Sequence, residues 1–324
     1  MSATTETTPW DEAELHGFLA ARLAGVSLAS ATRRPIHDAV VLPAGGPLAV
    51  CCDRTEEGVH FTPEASMEAL AHKAVGRALS DLAATAAVPR GILLALAAPR
   101  GTASGRLKEL LAAVIERAAA LGAPLLGGDL TAAGTGLSLV VTALGEAPLE
   151  PPGRDLLVAG DVVALTGPVG GSRLGRHLWI EPRLALGRQL HAQGARAMMD
   201  VSDGLCLDLS RLAAASGVVL ELAQVAVHAD AMLLAEGDEL AALAHALFDG
   251  EDHELLVGLP EAAALAAGLW PVARVVPEAL RAGRAAGLWL AGDLGAAPRG
   301  KLPTAPRTWL AFDPADPRAF VHGR

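Results

Sequence analysis

Tyrosine is absent from these 324 residues, and aromatic residues of every kind make up only 3%. A core built with so few rings must be filled by small and aliphatic side chains, and alanine and leucine are abundant throughout. Positive charge is also scarce: 26 Lys and Arg face 36 Asp and Glu, a formal net charge of -10. That balance excludes nucleic-acid or anionic-membrane binding by bulk electrostatics, so any phosphate must be met through metal ions or local backbone N–H groups. Cys51, Cys52 and Cys206 make no disulfide framework, which fits a reducing cytoplasm. The polar, threonine-rich start has no basic n-region followed by an apolar stretch, so no signal peptide is expected. The longest uncharged runs, such as 130–145, carry Gly and Thr and fall short of the ~20 residues of a membrane span. Neither a Gly-Lys-Ser/Thr phosphate loop nor a Gly-x-Ser-x-Gly elbow occurs, and cysteine and histidine are not spaced for zinc.

What is present is apolar pattern punctuated by aspartates. With 52% hydrophobic residues the chain can bury two cores of ordinary size. Pro148, Pro151, Pro152 and Gly153 mark a boundary. The expected organisation is a disordered tail over 1–10, a first domain over 11–147 and a second over 148–324. The pattern predicts helices over 11–24, 66–87, 104–121, 184–190 and 236–247. It predicts strands over 39–42, 48–52, 91–98, 137–144, 161–166 and 218–222, the first two forming a hairpin across Pro43–Pro47.

The densest motif is Asp200-Val201-Ser202-Asp203-Gly204-Leu205-Cys206-Leu207-Asp208. It reads as a strand end running into a helix start. One aspartate there is explained by the helix N-terminus, which favours an anion by about 0.3–1 kcal/mol. Two close carboxylates repel each other and are better explained by a bound cation. Asp208 lies inside the helix and reads as structural. An EF-hand beginning at Asp200 fails, because its sixth and twelfth positions are Leu205 and Arg211. Further aspartates stand beside strand ends, glycines or serines: Asp38 and Asp53 as hairpin neighbours, Asp81 within an apolar helix, and Asp129 after Gly127-Gly128. Together they point to hard divalent cations held through oxygen, of which magnesium on nucleotide phosphates is the commonest case. The turn Gly167-Pro168-Val169-Gly170-Gly171-Ser172 could cradle a phosphate or be an ordinary tight turn.

These blocks resemble, in order and from about residue 11 to 312, the thiamine-monophosphate kinase family. The matching segments are Asp38, Asp53 with Gly58-Val59-His60-Phe61, Leu79-Ser80-Asp81-Leu82-Ala83-Ala84, Gly127-Gly128-Asp129, Arg154 with Gly160-Asp161, Asp200–Leu205, Gly250-Glu251-Asp252 and Trp309-x-x-Phe312. The resemblance implies a two-domain α/β fold of the aminoimidazole-ribonucleotide-synthetase type, each domain a sheet packed with helices. It implies a cytoplasmic homodimer whose first-domain sheets meet, with no nucleic-acid or membrane partner. The implied reaction moves the γ-phosphoryl of ATP to thiamine monophosphate, giving thiamine diphosphate and ADP. By position, Asp38, Asp53, Asp81, Asp129, Asp200 and Asp203 are the implied ligands of several Mg2+ ions, with Asp81, Asp200 and Asp203 at the catalytic centre. Gly128, Arg154 and Ser202 are implied to contact ATP; His60, Glu251 and Trp309 fall on the thiamine-phosphate side.

The chain departs from the family pattern at several places. His37 replaces one of two adjacent aspartates, and Cys51-Cys52 replaces a hydroxyl pair. Ala78 stands for an asparagine, Trp179-Ile180-Glu181-Pro182-Arg183 for Arg-Pro-x-Pro-Arg, and His253 for a tyrosine. A non-catalytic or altered-specificity paralogue that binds nucleotide or thiamine phosphate is the alternative these losses raise.

Overall fold

The computed structural model describes residues 18, 21–22, 46–296, 300–303 and 308–314. Asp38, the expected strand over 39–42 and the tail over 1–10 lie outside the described residues, so the expected Asp38–Asp53 neighbourhood does too. Of the expected helix over 11–24, Phe18, Ala21 and Arg22 are described and are helical. The chain separates into two units. The first takes the described residues to Leu82 with Ala87–Leu149 and Leu178–Glu181; the second takes Ala83–Ala86, Glu150–His177 and the described residues from Pro182 on.

In the first unit Ser66 opens the chain's longest described helix by accepting the Ala69 N–H on its hydroxyl at 3.1 Å. This helix, α1 (Met67–Ala84), buries Leu70, Ala71, Ala74, Val75, Ala78 and Leu79. Its alanines favour helix intrinsically and let neighbouring backbone come close. Four strands, β1 (Leu48–Glu56), β2 (Val88–Pro99), β3 (Leu125–Ala133) and β4 (Ser138–Glu146), form a sheet in the order β1-β4-β2-β3. β4 is antiparallel to both β1 and β2, whereas β2 and β3 are parallel. The parallel pair needs a crossover, supplied by α2 (Ser104–Ala120). That helix buries Leu107, Leu110, Leu111, Val114 and Ala118, the 3.6-residue stripe of a helix lying on a core.

The second unit is a mixed seven-stranded sheet in the order β11-β10-β7-β9-β5-β8-β6. Its strands are β5 (Asp161–Leu165), β6 (Ala197–Asp200), β7 (Val219–Leu222), β8 (Leu255–Pro260), β9 (Trp270–Val275), β10 (Gly287–Ala291) and β11 (Trp309–Ala311). Its helices are α3 (Leu184–Ala192), α4 (Leu205–Ser216), α5 (Ala229–Leu234), α6 (Glu239–Phe248) and α7 (Glu261–Ala266). Val163, Leu165, Met199, Leu209, Leu212, Leu220 and Leu256 belong to its core. The fold is α/β, with two mixed sheets packed with helices.

Two differences from the sequence pattern have physical causes. β9 begins Trp270-Pro271, a residue type that removes a ladder donor; the pairing with β5 shifts register just there, between Val163 and Ala164. Asp129 is not at a strand end but in the middle of β3, because the ladder to β2 carries on through Gly127 and Gly128 to Ala133.

Candidate active site

In the first unit, strand alternation puts Cys51 and Asp53 on one face of β1. The Cys51 thiol donates to the Ala78 carbonyl of α1 at 3.1 Å, so this is the face that α1 covers. Burial, then the charges of Asp81 and Asp53, push that thiol well above its usual range. Both carboxylates therefore converge on one spot. Asp53 Oδ1 lies 3.7 Å from the Arg77 guanidinium, while Asp53 Oδ2 is buried with no hydrogen-bond partner. A buried carboxylate oxygen left unpaired calls for a ligand or ion.

Asp129 is not brought to that spot. Register aligns Asp53 with Val141, Val141 with Leu94, and Leu94 with Gly128. Asp129 is one residue further on, beside exposed Ala95, and so falls on the opposite face of the sheet. Gly128 has a packing reason for being glycine: a Cβ there would lie 1.7 Å from the Leu94 carbonyl oxygen. The close approach that requires glycine is to β2. His60 follows β1, its Nδ1 accepting the Glu56 N–H at 3.0 Å, which leaves Nε2 to carry the proton of the neutral ring.

In the second unit the Asp200–Gly204 turn is built as the sequence pattern predicts, with Asp200 ending β6 and Gly204 preceding α4 at φ +115°. The Gly250–His253 turn is laced to it. Glu251 N–H donates to the Ser202 carbonyl and His253 N–H to the Val201 carbonyl, both at 2.8 Å. Gly250, at φ +72°, is needed because a Cβ would meet the Ser202 carbonyl oxygen at 2.7 Å. Glu251 and His253 are also left-handed, at φ +54° and +51°, costing about 1 kcal/mol or more each. Backbone strain of this kind persists where the surroundings over-determine it, commonly at functional sites. Asp208, fully buried in α4, accepts the N–H groups of Ser202 and Asp203 on Oδ2, each at 3.0 Å, and Arg211 on Oδ1 at 3.0 Å. Burial nevertheless pushes its carboxyl up to about 7. Arg211 also pairs with Asp203. Asp208 is thus the inner post of the turn, and Arg211 ties it to the outer carboxylate.

The glycine turn 167–172 is committed to protein. Gly170 N–H donates to both Asp252 oxygens at 2.9 and 3.1 Å, Gly171 N–H to Asp249 at 3.1 Å, and the Ser172 hydroxyl to the Gly250 carbonyl at 2.7 Å. Its donors latch the acidic turn, so the phosphate-cradle expectation gives way to a structural one. Arg176 completes the latch, reaching Asp252 Oδ1 at 3.0 Å and the Gly170 carbonyl at 2.9 Å. Burial drives the Asp252 carboxyl up to about 7, with Arg176 and the Gly170 N–H pulling it back. Glu254 accepts the Thr166 hydroxyl at 2.6 Å and pairs with Arg183, which gives a role to the one arginine left in the 179–183 segment.

Two expected contacts stand away from this turn. Gly153 bridges to Ala197 at the start of β6, and the Arg154 carbonyl accepts the Ser216 hydroxyl at the far end of α4. The 12 residues of α4 put that point about 18 Å from the Ser202 turn. Trp309 sits on β11, and β6 is the opposite edge of the sheet, six strand steps or about 29 Å away. It is held there by pairing with Ala291 of β10. Within this unit Trp309 and Glu251 are not neighbours.

Arg211 was legible as a helical neighbour of Asp208, three residues on. Arg176 carried no sequence signal, because its partner lies 76 residues away. Among the described residues no group of three or more His, Cys, Asp or Glu side chains stands ready as a complete metal site. The donor set nevertheless suits a hard cation: oxygens only, one of them buried and unpaired at Asp53. Among the described residues no helix is long and apolar enough to cross a membrane.

Comparison with known proteins sets this geometry in a class. Residues 36–147 match the model of the AIR synthase related protein, N-terminal domain. The chain is 36% identical over 283 residues to the thiamine-monophosphate kinase of Rhodopirellula baltica, covering 84% of this chain and 83% of that one. The crystal structure of thiamine-monophosphate kinase from Stenotrophomonas maltophilia superposes with a TM-score of 0.72 at 26% identity, covering 89% of this chain and 98% of that one. A structure described as AaThiL complexed with AMPPCP and TMP shares the fold, with a TM-score of 0.66 at 22% identity over 92% of this chain and 96% of that one. Fold and matched segment define a protein of the AIR-synthase-related class. Within that class, the chain belongs to the thiamine-monophosphate kinase family.

Proposed function

We propose that this protein transfers the γ-phosphoryl group of ATP to thiamine monophosphate. The observation that carries the reading is the 36% identity to a thiamine-monophosphate kinase across most of both chains. The bound AMPPCP and TMP named for the AaThiL complex support a nucleotide and a second phosphate ligand on this fold. In the proposed step an acceptor phosphate oxygen forms a bond to the γ-phosphorus, the bond from that phosphorus to the β–γ bridging oxygen breaks, and ADP leaves with its electron pair. The nucleophile is already anionic, so no strong general base is required. The barrier is repulsion between two polyanions.

Magnesium, when bound, supplies the positive charge that offsets this repulsion. Asp53 and Asp81 of the first unit, and Asp200 and Asp203 of the second, are the proposed ligands, with Asp38 as a fifth; Asp129, on the opposite face of its sheet from Asp53, would as a sixth hold an ion apart from the Asp53–Asp81 spot. Asp208 and Arg211 orient the Asp203 side of the turn; Ser202 and Gly128 are proposed to approach ATP. His60 and Glu251 are proposed for the thiamine-phosphate side. Arg154 and Trp309 keep the roles implied by the resemblance only if ligand is met at the far end of α4 and along β11. A cytoplasmic homodimer is part of the same proposal.

The test is direct: purified protein, ATP, Mg2+ and thiamine monophosphate should yield thiamine diphosphate by chromatography. Absence of product at micromolar enzyme, with both ligands binding, would establish the second reading instead, a paralogue that binds without transfer. That reading is motivated by Cys51, whose thiol is turned to the Ala78 carbonyl where the family has a hydroxyl residue.

A further inference from the structure

The kinase reading makes no use of Thr55, although it shares a strand face with Asp53. Cys51, Asp53 and Thr55 alternate along β1 with the exposed Cys52 and Arg54, so all three lie on the α1 side of the strand. Only part of their hydrogen bonding is met. The Cys51 thiol has the Ala78 carbonyl at 3.1 Å, and Asp53 Oδ1 has the Arg77 guanidinium at 3.7 Å. Asp53 Oδ2 and Thr55 Oγ1 are both buried with no hydrogen-bond partner. Thr55 is 0% exposed, and its cross-strand partner Leu139 and the next residue on that face, Val141, are apolar and fully buried. A hydroxyl so placed is costly, because it gives up water and gains no protein partner. Valine has nearly the same shape and would fill the space without that cost, so packing does not account for a threonine here. Two orphaned oxygens, two residues apart on one strand face, call for one shared ligand.

We propose that Thr55 is a positioning residue for the ion at Asp53: its hydroxyl holds a water of a divalent cation bound to Asp53 Oδ2. Cα atoms two residues apart in a strand are about 6.6–6.8 Å from each other. Two metal–oxygen bonds of ~2.1 Å and a hydrogen bond of ~2.8 Å from the bound water reach about 7 Å, enough to join the two oxygens. Magnesium gives up its waters reluctantly, so a carboxylate oxygen beside a group that holds a water suits it. The inference rests on the proposed function only for a cation at Asp53. Losing a hydrogen bond of this outer kind typically weakens metal binding or activity about 10–100-fold.

The test uses the full chain and Mn2+ alone, with binding followed by calorimetry or by the Mn2+ paramagnetic signal, and the metal-free thermal midpoint measured alongside. Thr55→Val keeps the shape and removes the hydroxyl. It is expected to weaken Mn2+ binding about tenfold or more, while the metal-free midpoint rises because an orphaned hydroxyl is gone. Thr55→Ser keeps the hydroxyl and should bind Mn2+ within about threefold of the parent. With Asp53→Asn already in place, Thr55→Val should change Mn2+ binding less than about twofold, since the two residues act on one ion. If the Val variant does not fold, Thr55→Ala replaces it in the same comparisons. The proposal is overturned if the hydroxyl-free variant binds Mn2+ as the parent does, whatever its midpoint, or if Ser loses as much as the hydroxyl-free variant. It is equally overturned if the loss persists undiminished beside Asp53→Asn, or if the parent binds no Mn2+. A parent that binds Mn2+ in a Thr55-dependent way yet makes no thiamine diphosphate would sink the kinase reading and leave this one standing.

Discussion

At the scale of single residues, the Asp200–Asp208 segment shows how one buried group organises a turn. Asp208 satisfies two backbone N–H groups and one guanidinium from a fully buried position. Asp208→Ala leaves the two N–H groups without their acceptor and Arg211 with Asp203 alone, and is expected to cost about 3 kcal/mol by denaturant unfolding. A loss below about 1 kcal/mol would mean that the turn does not depend on this post. Asp252 gives a pH signature. Its folded pKa, about 7, stands above the ~3.9 of an unfolded aspartate, so between these values the native state holds the extra proton. Its contribution is thus most favourable below pH 4 and is lost as pH rises through 7. Asp252→Asn removes this titration. The variant's thermal midpoint, relative to the parent's, should climb between pH 5 and pH 8; a difference that stays flat or falls would show that Asp252 is ionised throughout. The site residues legible in the sequence were short-range ones: Asp200, Ser202 and Asp203 share a turn. The Arg176 latch joins residues far apart in sequence, and no spacing announces it.

At the scale of elements, periodicity was a good guide where one face of a helix or strand is buried. α2 and the β2–β4 pair follow the expected pattern to within a few residues. It misled at Gly127-Gly128-Asp129, where two glycines resemble the end of a strand yet lie inside β3. The reason is steric: β3 passes so close to β2 that Gly128 has no room for a Cβ, whereas a Cβ at Gly127 would meet only the Leu93 Cδ2, at 3.9 Å. Neighbouring glycines should therefore respond differently. Gly127→Ala is expected to change stability by less than about 0.5 kcal/mol. Gly128→Ala must push β3 off its ladder and should cost more than about 2 kcal/mol, or prevent folding. Equal thermal midpoints for the two variants would contradict this account of the strand. The same register argument separates Asp129 from Asp53 across the sheet, which no reading of strand ends could show.

At the scale of the whole molecule, the chain has few cations, and the proposed reaction brings a polyanionic ligand to several carboxylates, a repulsion that a bound metal ion would offset. The net charge of -10 makes the point in bulk, and the unpaired Asp53 Oδ2 makes it locally. Nucleotide binding should therefore be metal-dependent. With ATP and Mg2+ at about 100 times the dissociation constant, mass action stabilises the native state by about 2.7 kcal/mol, which a thermal-shift experiment resolves readily. Replacing Mg2+ by a chelator at the same ATP concentration should abolish most of that shift, because ATP would then meet uncompensated carboxylates. Asp203→Asn tests the same logic from the protein side: its metal-free baseline should stay near the parent's if Arg211 is still held by Asp208, while the ATP–Mg2+ shift shrinks. If ATP stabilised the parent equally well in chelator, the aspartates would have to be structural, and the basic groups already spent on Asp203, Asp252 and Glu254 could not be what binds the phosphates.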